Sequence, residues 1–395
     1  MINPKFPTPC KSINHKNNIP IGLLKIGAYY KDKGYQVKLQ QLSESEEVLD
    51  YDPDEIKITS VFTYWSEYVV EAVEYARENY PTATIEVGGI WASLMPDKCK
   101  ELTRCDSVYV GVCEEAEQYQ PDYSLLSEEI DFQIIHTSRG CHRRCKACGV
   151  YCIEPELKFK KSIRKEVIKK KLVFYDNNIL LNPYIENILR ELIVLRKKHI
   201  ISSCESQSGF DGRLLRKKPY IAKMLHQAGF KFPKIAWDGS LKAWGNREKE
   251  IDILLDAGYE PKKIGVFFLE NYDISYEELE HKRIKCWEKG VQVIQCRYRP
   301  LDQLYDYYNG RKKHQTSDDY YIHPNWTHQQ IKRFNRNVKL HNTCIRFNTL
   351  FWARDIAYKK IPSEESAKLI NLSYNEVINY LDDVWNPASF TEVDE

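Results

Sequence analysis

Phe132-Gln-Ile-Ile-His-Thr-Ser-Arg-Gly-Cys141-His-Arg-Arg-Cys145-Lys-Ala-Cys148 is the stretch on which the fold turns. Residues 132–137 read as a buried strand, 138–140 as a turn, and three cysteines follow within eight residues. Five more short apolar runs follow, at 171–175, 200–203, 235–238, 264–269 and 291–296. Helical patterns separate them. One spans 183–198, with Asn182 placed to cap it and Pro183 at its first position. Six strand–helix units in succession predict a barrel or a partial (β/α)6 barrel over residues 131–310, with its chemistry at the C-terminal strand ends.

Working outward toward the N-terminus, the first 130 residues also alternate. A helical pattern over 21–33 stops at Gly34, and strand patterns occupy 34–39, 56–62, 84–87 and 107–112. Ser66 is placed to cap a helix reaching Asn79. This alternation predicts an α/β domain at 1–130, a parallel sheet covered by helices, with ligands at the carboxyl ends of its strands. Residues 114–131, rich in Glu, Gln and Pro, read as a linker. Beyond 311 strand signals fade, and helical patterns at 327–340, 363–370 and 374–384 predict a helical extension over 311–395 packed on the barrel.

The 395 residues carry a formal net charge of only +2, but the charge is divided. Residues 1–130 hold 12 Lys and Arg against 22 Asp and Glu, and residues 131–395 hold 46 against 34. No apolar run approaches the length of a membrane span. Residues 1–20 are polar and contain no apolar core of a secretory signal. The expectation is a cytoplasmic protein without a membrane partner. In that compartment twelve cysteines serve as metal ligands, thiols or core residues rather than a disulfide framework.

Three thiolates spaced three and two residues apart, just past a strand end, can converge on one soft metal centre. On a [4Fe–4S] cluster they leave one iron open. A closed zinc site with Cys152 as fourth thiolate is the alternative, and with it a zinc-bearing nucleic-acid-binding protein.

The pattern Cys141-x-x-x-Cys145-x-x-Cys148 after the first strand of a βα barrel resembles the radical S-adenosylmethionine (SAM) superfamily. The resemblance implies a [4Fe–4S] cluster on Cys141, Cys145 and Cys148, with SAM on the open iron. One electron, supplied by an external donor of the flavodoxin or ferredoxin type, then cleaves SAM to a radical that abstracts a substrate hydrogen. Ala147 departs from the family, which usually places an aromatic residue before the third cysteine. The resemblance further implies SAM contacts at Asp176, Asn177 and Asn178, at Ser203 and Glu205, and at Asp238. The reading of these residues as helix caps or turn residues stands beside it. Arg297 and Arg299 are placed either to face the cavity or to lie on the surface.

Three further stretches are similar to the cobalamin-binding domain, a Rossmann-like sheet, that precedes many radical SAM barrels. They are residues 19–37, Val87-Gly-Gly-Ile-Trp-Ala-Ser-Leu-Met-Pro96 and Asp106-Ser-Val-Tyr-Val-Gly-Val-Cys-Glu-Glu115. Cobalamin contacts would then fall on Thr59, Ser60, Thr63, Gly88, Gly89 and Trp91, the glycines allowing close approach of a bulky ligand. No Asp-x-His-x-x-Gly sequence is present to supply an axial histidine. A front domain kept only as structure is the alternative. Cys10, Cys99, Cys105 and Cys113 raise a second cluster, although their spacing does not match the methylthiotransferases that carry one.

The function expected from the resemblance is a cobalamin-dependent methyl transfer to an unactivated carbon of a small-molecule or peptide substrate. The alternative is a cobalamin-free radical SAM enzyme acting on a nucleic acid or peptide. The basic run 158–171 bears on that choice. Ile163, Val167 and Ile168 within it suggest a solvated helix with one buried stripe rather than a phosphate-binding face.

Overall fold

The computed structural model describes residues 1–7, 19–45 and 48–389. Its front part is a five-stranded, all-parallel sheet. In chain order the elements are β1 (Ile2–Asn3), α1 (Ile21–Asp32), β2 (Gln40–Gln41), β3 (Glu55–Ser60), α2 (Ser66–Asn79), β4 (Thr84–Gly89), α3 (Ile90–Leu94), α4 (Pro96–Thr103) and β5 (Ser107–Val108). The spatial order is β2-β1-β3-β4-β5. Alternation builds the core. Ile56 and Ile58 of β3 and Ile85 and Val87 of β4 are buried against Val69, Val73 and Ala76 of α2. The expected strand at 34–39 is displaced to β2, and β1 comes from a polar stretch that gave no strand signal. Most of the remaining N-terminal stretch, including Cys10, lies outside the described residues.

After α5 (Glu114–Glu117) the chain enters β6 (Phe132–Ile135), followed by an antiparallel pair, β7 (Ser138–Arg139) and β8 (Lys158–Phe159), with α6 (Val150–Ile153) in the loop between them. β9 (Lys171–Phe174), α7 (Ile185–Lys197), β10 (Ser203–Ser206), α8 (Gly212–Lys217) and α9 (Tyr220–Ala228) follow. The series ends with β11 (Lys234–Ala236), α10 (Trp244–Asp256), β12 (Gly265–Glu270), α11 (Tyr276–Glu288) and β13 (Gln292–Arg297). These strands form two parallel sheets, β10-β9-β6 and β11-β12-β13. Parallel bridges at Cys204–Phe230 and Phe210–Ile235 link them. One core runs beneath both sheets. The stripe Ile185, Ile188, Leu189, Leu192 and Leu195 seats α7 on it, each burial contributing roughly 1.5–3 kcal/mol.

The basic run 158–171 is not the expected helix. It carries β8 and a single 3-10 turn, with Ile163 buried and Ile168 exposed. Tertiary hydrogen bonds override local periodicity there. Gln133 donates to Glu166 O at 2.6 Å and accepts from Ile168 N at 3.0 Å, and Asn182 donates to Lys160 O at 3.0 Å. Several of the cations are paired: Lys158 with Glu114, Lys160 with Glu166 and Lys171 with Asp131.

The last part begins with α12 (His328–Phe347), whose Thr327 and Gln330 form a capping box. Its Ile331, Phe334 and Val338 join the core under β11–β13. Helices Arg354–Ala357, Ser363–Ile370 and Tyr374–Ile378 then surround a small separate core. The helix expected over 374–384 stops at Ile378, and Val384–Trp385 pairs antiparallel with Trp352–Ala353.

Candidate functional site

The three cysteines sit on the loop that β7 and β8 close, immediately beyond the C-terminal end of β6. Gly140 enters this loop at φ +75°, and a Cβ there would lie 2.3 Å from Glu156 O, so no other residue fits without a shift. Cys148 N–H donates to Cys145 O at 3.0 Å, turning the chain between the last two thiols. Cys141 and Cys148 are half-buried and Cys145 is exposed. Enclosure by the protein pushes the Cys145 thiol up, and the nearby Asp238, Cys148 and Cys141 add to the shift. The Cys148 thiol is raised by the same enclosure, with Cys141, Cys152 and Asp238 in its field. The three thiols and Asp238 thus share one electrostatic neighbourhood.

The base of the loop is braced by buried polar groups. Asp176, beyond the end of β9, is fully enclosed. It accepts from Thr137 N–H at 3.0 Å, Thr137 Oγ1 at 2.5 Å and Ser138 Oγ at 2.6 Å. Burial pushes its carboxyl up against the opposing effect of these donors. Asn182 accepts Tyr184 N–H on its Oδ1 at 2.8 Å, although the regular turns of α7 start only at Ile185. The Asn182 amide donates to Thr137 O at 2.9 Å, and Tyr184 stands at the cap position. Within the loop, Arg143 pairs with Asp211, its Nε at 2.8 Å, and Asp211 also accepts from Asn178 at 3.3 Å.

The residues expected around SAM are distributed unequally. Asp176 is engaged by the loop base. Asn177 donates to Glu154 Oε2 at 2.8 Å, and Asn178 Oδ1 is buried without a partner. Ser203 is displaced from its expected place: it opens β10, opposite Lys171, and lies at the far end of the sheet. The strand begins where the sequence pattern placed its end, because its register follows β9 (Lys171–Phe174) rather than the apolar pair Ile200-Ile201. Glu205 pairs with Lys234 at 2.8 Å. Asp238 follows β11 and acts electrostatically on Cys145 and Cys148, its carboxyl raised by enclosure and opposed by Lys282 and Arg247.

In the front sheet, Thr59 pairs with Gly88 and Ser60 with Gly89. Ser60 is buried and donates from Oγ to Gly88 O at 2.7 Å while accepting from Ala92 N–H at 3.1 Å. Gly89 has φ +100°, and a Cβ there would lie 2.1 Å from Ser60 O. That glycine is required by the chain's own packing. At Gly88 a Cβ would meet Tyr109 at an ordinary 3.5 Å. Thr63 is buried, and Trp91 is a fully buried core residue whose Nε1 has no partner. Cys99 and Cys105 are buried there too, and burial pushes the Cys99 thiol up to about 12. The turn nevertheless lies close to the cysteines: α3 packs on α6, and Leu94 stands 3.0 Å from where a Cβ on Gly149 would be.

A polar cluster closes the other side, joining Arg297 and Arg299, neither of them exposed, to residues without a sequence signal. Glu270, at the end of β12, is buried and accepts at both oxygens from Asn335 of α12. Burial pushes its carboxyl up to about 7. Arg297 pairs with Asp306 at 2.6 Å beneath the rings of Tyr308 and Tyr320. Arg299 pairs with the same carboxylate and covers the Tyr64 ring of the front part at 4.4 Å. Glu270 and Asn335 lie 65 residues apart, and no local pattern joins them.

Among the described residues, no three His, Cys, Asp or Glu side chains gather closely enough to hold a single metal ion. A closed zinc site needs four ligands around one point. A four-iron cluster takes each thiolate on a different iron, and three thiols spaced three and two residues apart on one strand-end loop, acting on one another electrostatically, offer that donor set.

No family model matches the chain, and no curated protein matches it by sequence. Solved structures do. The radical S-adenosylmethionine methyltransferase TsrM from Kitasatospora setae, with cobalamin and a [4Fe–4S] cluster bound, matches at a TM-score of 0.55 and 14% identity, over 77% of this chain and 76% of that one. The same protein with tryptophan substrate and a SAM analogue matches at a TM-score of 0.52 and 14% identity, over 77% and 74%. This mixed α/β chain therefore shares the fold of a radical SAM methyltransferase.

Proposed function

We propose that the chain is a radical SAM enzyme that holds a [4Fe–4S] cluster on Cys141, Cys145 and Cys148, binds SAM, and uses cobalamin to methylate an unactivated carbon of a small molecule. The observation that carries the proposal is the cysteine loop. It stands at the C-terminal end of the first of six parallel strands, braced by buried Asp176 and with Asp238 acting electrostatically on its thiols. We read the six strands as a partial (β/α)6 barrel spanning 131–310, the front sheet of 1–130 as the cobalamin domain, and 311–395 as its helical extension. The likeness in fold to a methyltransferase solved with these cofactors supports the reading.

When bound, the cluster and SAM supply one-electron cleavage of SAM, with an external flavodoxin- or ferredoxin-type donor providing the electron. The chain's own part is to bind, orient and enclose. Thr137, Ser138 and Asp176 fix the direction in which the loop leaves β6. Asn177, Asn178 and Asp238 stand at strand ends facing the loop, and we assign them to SAM. Gly88, with Thr59 beside it in the adjacent strand, presents the carboxyl end of the front sheet to cobalamin. Arg299, laid across Tyr64, closes the side between the two parts against water.

One observation favours a second reading, a radical SAM enzyme without cobalamin. Ser60, Thr63 and Trp91 are buried, and Gly89 is explained by Ser60 alone. Anaerobic reconstitution with hydroxocobalamin, followed by iron, sulfide and cobalt analysis, separates the two. About four irons and one cobalt per chain, with all iron lost in a Cys141→Ala, Cys145→Ala, Cys148→Ala variant, supports the first. Iron without cobalt supports the second. Zinc without iron overturns both.

A further inference from the structure

Arg139, two residues before Cys141, is held between carboxylates from opposite sides. Its Nε and Nη2 donate to Glu117 at 3.0 and 2.7 Å, and its Nη1 donates to Glu154 at 3.0 Å. Glu117 ends α5 and is also bound by Lys25 of α1 at 3.0 Å, so this arm belongs to the front part. Glu154 follows α6, beyond the third cysteine. Its second oxygen accepts from Gly140 N–H and from Asn177, both at 2.8 Å. The chain Lys25–Glu117–Arg139–Glu154 has two positive and two negative groups, with side-chain exposures of 8, 22, 22 and 14%. Glu117, Arg139 and Glu154 border a cavity of about 620 Å³ between Gly111 of the front part and the β7–β8 pair.

Each arm ends on something different. The Glu117 arm ends on a helix that lies against the front sheet. The Glu154 arm ends on the backbone amide that starts the cysteine loop and on the strand end beside it. A guanidinium offers fixed, planar donors, so the direction of one carboxylate constrains that of the other. An ammonium cannot do this for both at once.

We propose that Glu117 and Glu154, acting through Arg139, are positioning residues that make the conformation of the cysteine loop depend on the docking of the front part. The inference rests on the cluster assignment above for its consequence, but not for its geometry. Substituting either glutamate leaves Arg139 with surplus charge in a partly enclosed site, and the loop loses one of its two directions of restraint.

The test compares wild type with Glu117→Gln, Glu154→Gln and Arg139→Lys, each reconstituted anaerobically. Three quantities are read: the rate of iron loss to a chelator, the electron paramagnetic resonance spectrum of the reduced cluster, and hydrogen exchange of the Gly140–Cys141 amides. Glu154→Gln and Arg139→Lys are expected to lose iron about ten-fold faster and to change the spectrum. Glu117→Gln, which touches no loop atom, is expected to do the same by about three-fold and to raise amide exchange at Gly140. Unchanged iron loss, spectrum and exchange in Glu117→Gln overturn the proposal, even where Glu154→Gln is altered. A wild type that takes up no cluster overturns the proposed function, and amide exchange then still decides the relay. Thermal melting of each variant identifies a folding failure, and Arg139→Lys keeps the charge should a neutral variant fail to fold.

Discussion

The cysteine loop and the Gly88–Gly89 turn both end a parallel strand and face the same seam, yet they are built in opposite ways. The loop leaves its thiols half-buried or exposed and sets polar groups at its base: buried Asp176 and Asn182 bond the Thr137 backbone, and half-buried Glu154 accepts from Gly140 N–H. The turn keeps its side chains inward. Ser60 is satisfied by Gly88 O and Ala92 N–H, and Trp91 fills the core. A side chain that the fold leaves free is a stronger sign of a ligand than one the fold already uses. By that measure the cluster assignment stands on this chain's residues, and the cobalamin assignment leans on the likeness in fold.

Substitutions at the glycines test this contrast most severely. Gly140→Ala places a Cβ 2.3 Å from Glu156 O at φ +75°. It is expected to disorganise the loop, abolish iron uptake in reconstitution, and cost about 3 kcal/mol or more in chemical denaturation. Gly89→Ala, with its Cβ 2.1 Å from Ser60 O, is expected to destabilise the protein as much, but to leave the iron content of the folded fraction unchanged. Loss of iron in both variants would mean that the two regions are one folding unit and would dissolve the comparison.

Asp176 gives the loop a pH dependence that the turn lacks. Its pKa in the folded chain lies above the ordinary 3.8. Its favourable contribution is therefore complete below 3.8 and is lost as pH rises through the folded value. Asp176→Asn removes that slope and places an amide against the Thr137 and Ser138 donors, at a cost of about 1–3 kcal/mol. Stability measured from pH 4 upward should fall less steeply in the variant than in wild type. Ser60, Thr63, Gly88, Gly89 and Trp91 carry no group that titrates in this range, so Ser60→Ala should shift the curve without changing its slope.

The smallest stability change is expected at Gly88. A Cβ there meets Tyr109 at 3.5 Å, and Gly88→Ala should alter stability by about 1 kcal/mol or less. Its use is in the ligand. Reduced cobalt uptake at unchanged stability assigns Gly88 to cobalamin, and unchanged uptake removes the one glycine of this turn that the fold does not already explain.

Much of the layout was legible because it follows from periodicity and spacing. The apolar runs around Ile58, Val87, Val173 and Val266 alternate or cluster as buried strands do, and each is one. The spacing of Cys141, Cys145 and Cys148 needs no tertiary knowledge to suggest a shared ligand. Ser203 shows the limit: two adjacent isoleucines marked the wrong end of β10, because register is set by the neighbouring strand. Residues 158–171 show another, since side-chain amides from Gln133 and Asn182 hold a segment whose local pattern favours a helix.

What the sequence determined by itself is local: which residues alternate, where glycine ends an element, and how three thiols are spaced. These depend on bond geometry and on solvent, both of which act over a few residues. What only the tertiary structure decided is which polar groups are already used. Asp176 is engaged by Thr137 and Ser138, Asp238 lies in the electrostatic field of the cysteines, and Arg139 is gripped between Glu117 and Glu154. Burial makes an unpaired charge or amide costly, so such groups find partners wherever the fold brings them, and those of Asp176 and Arg139 lie from 15 to 39 residues away along the chain.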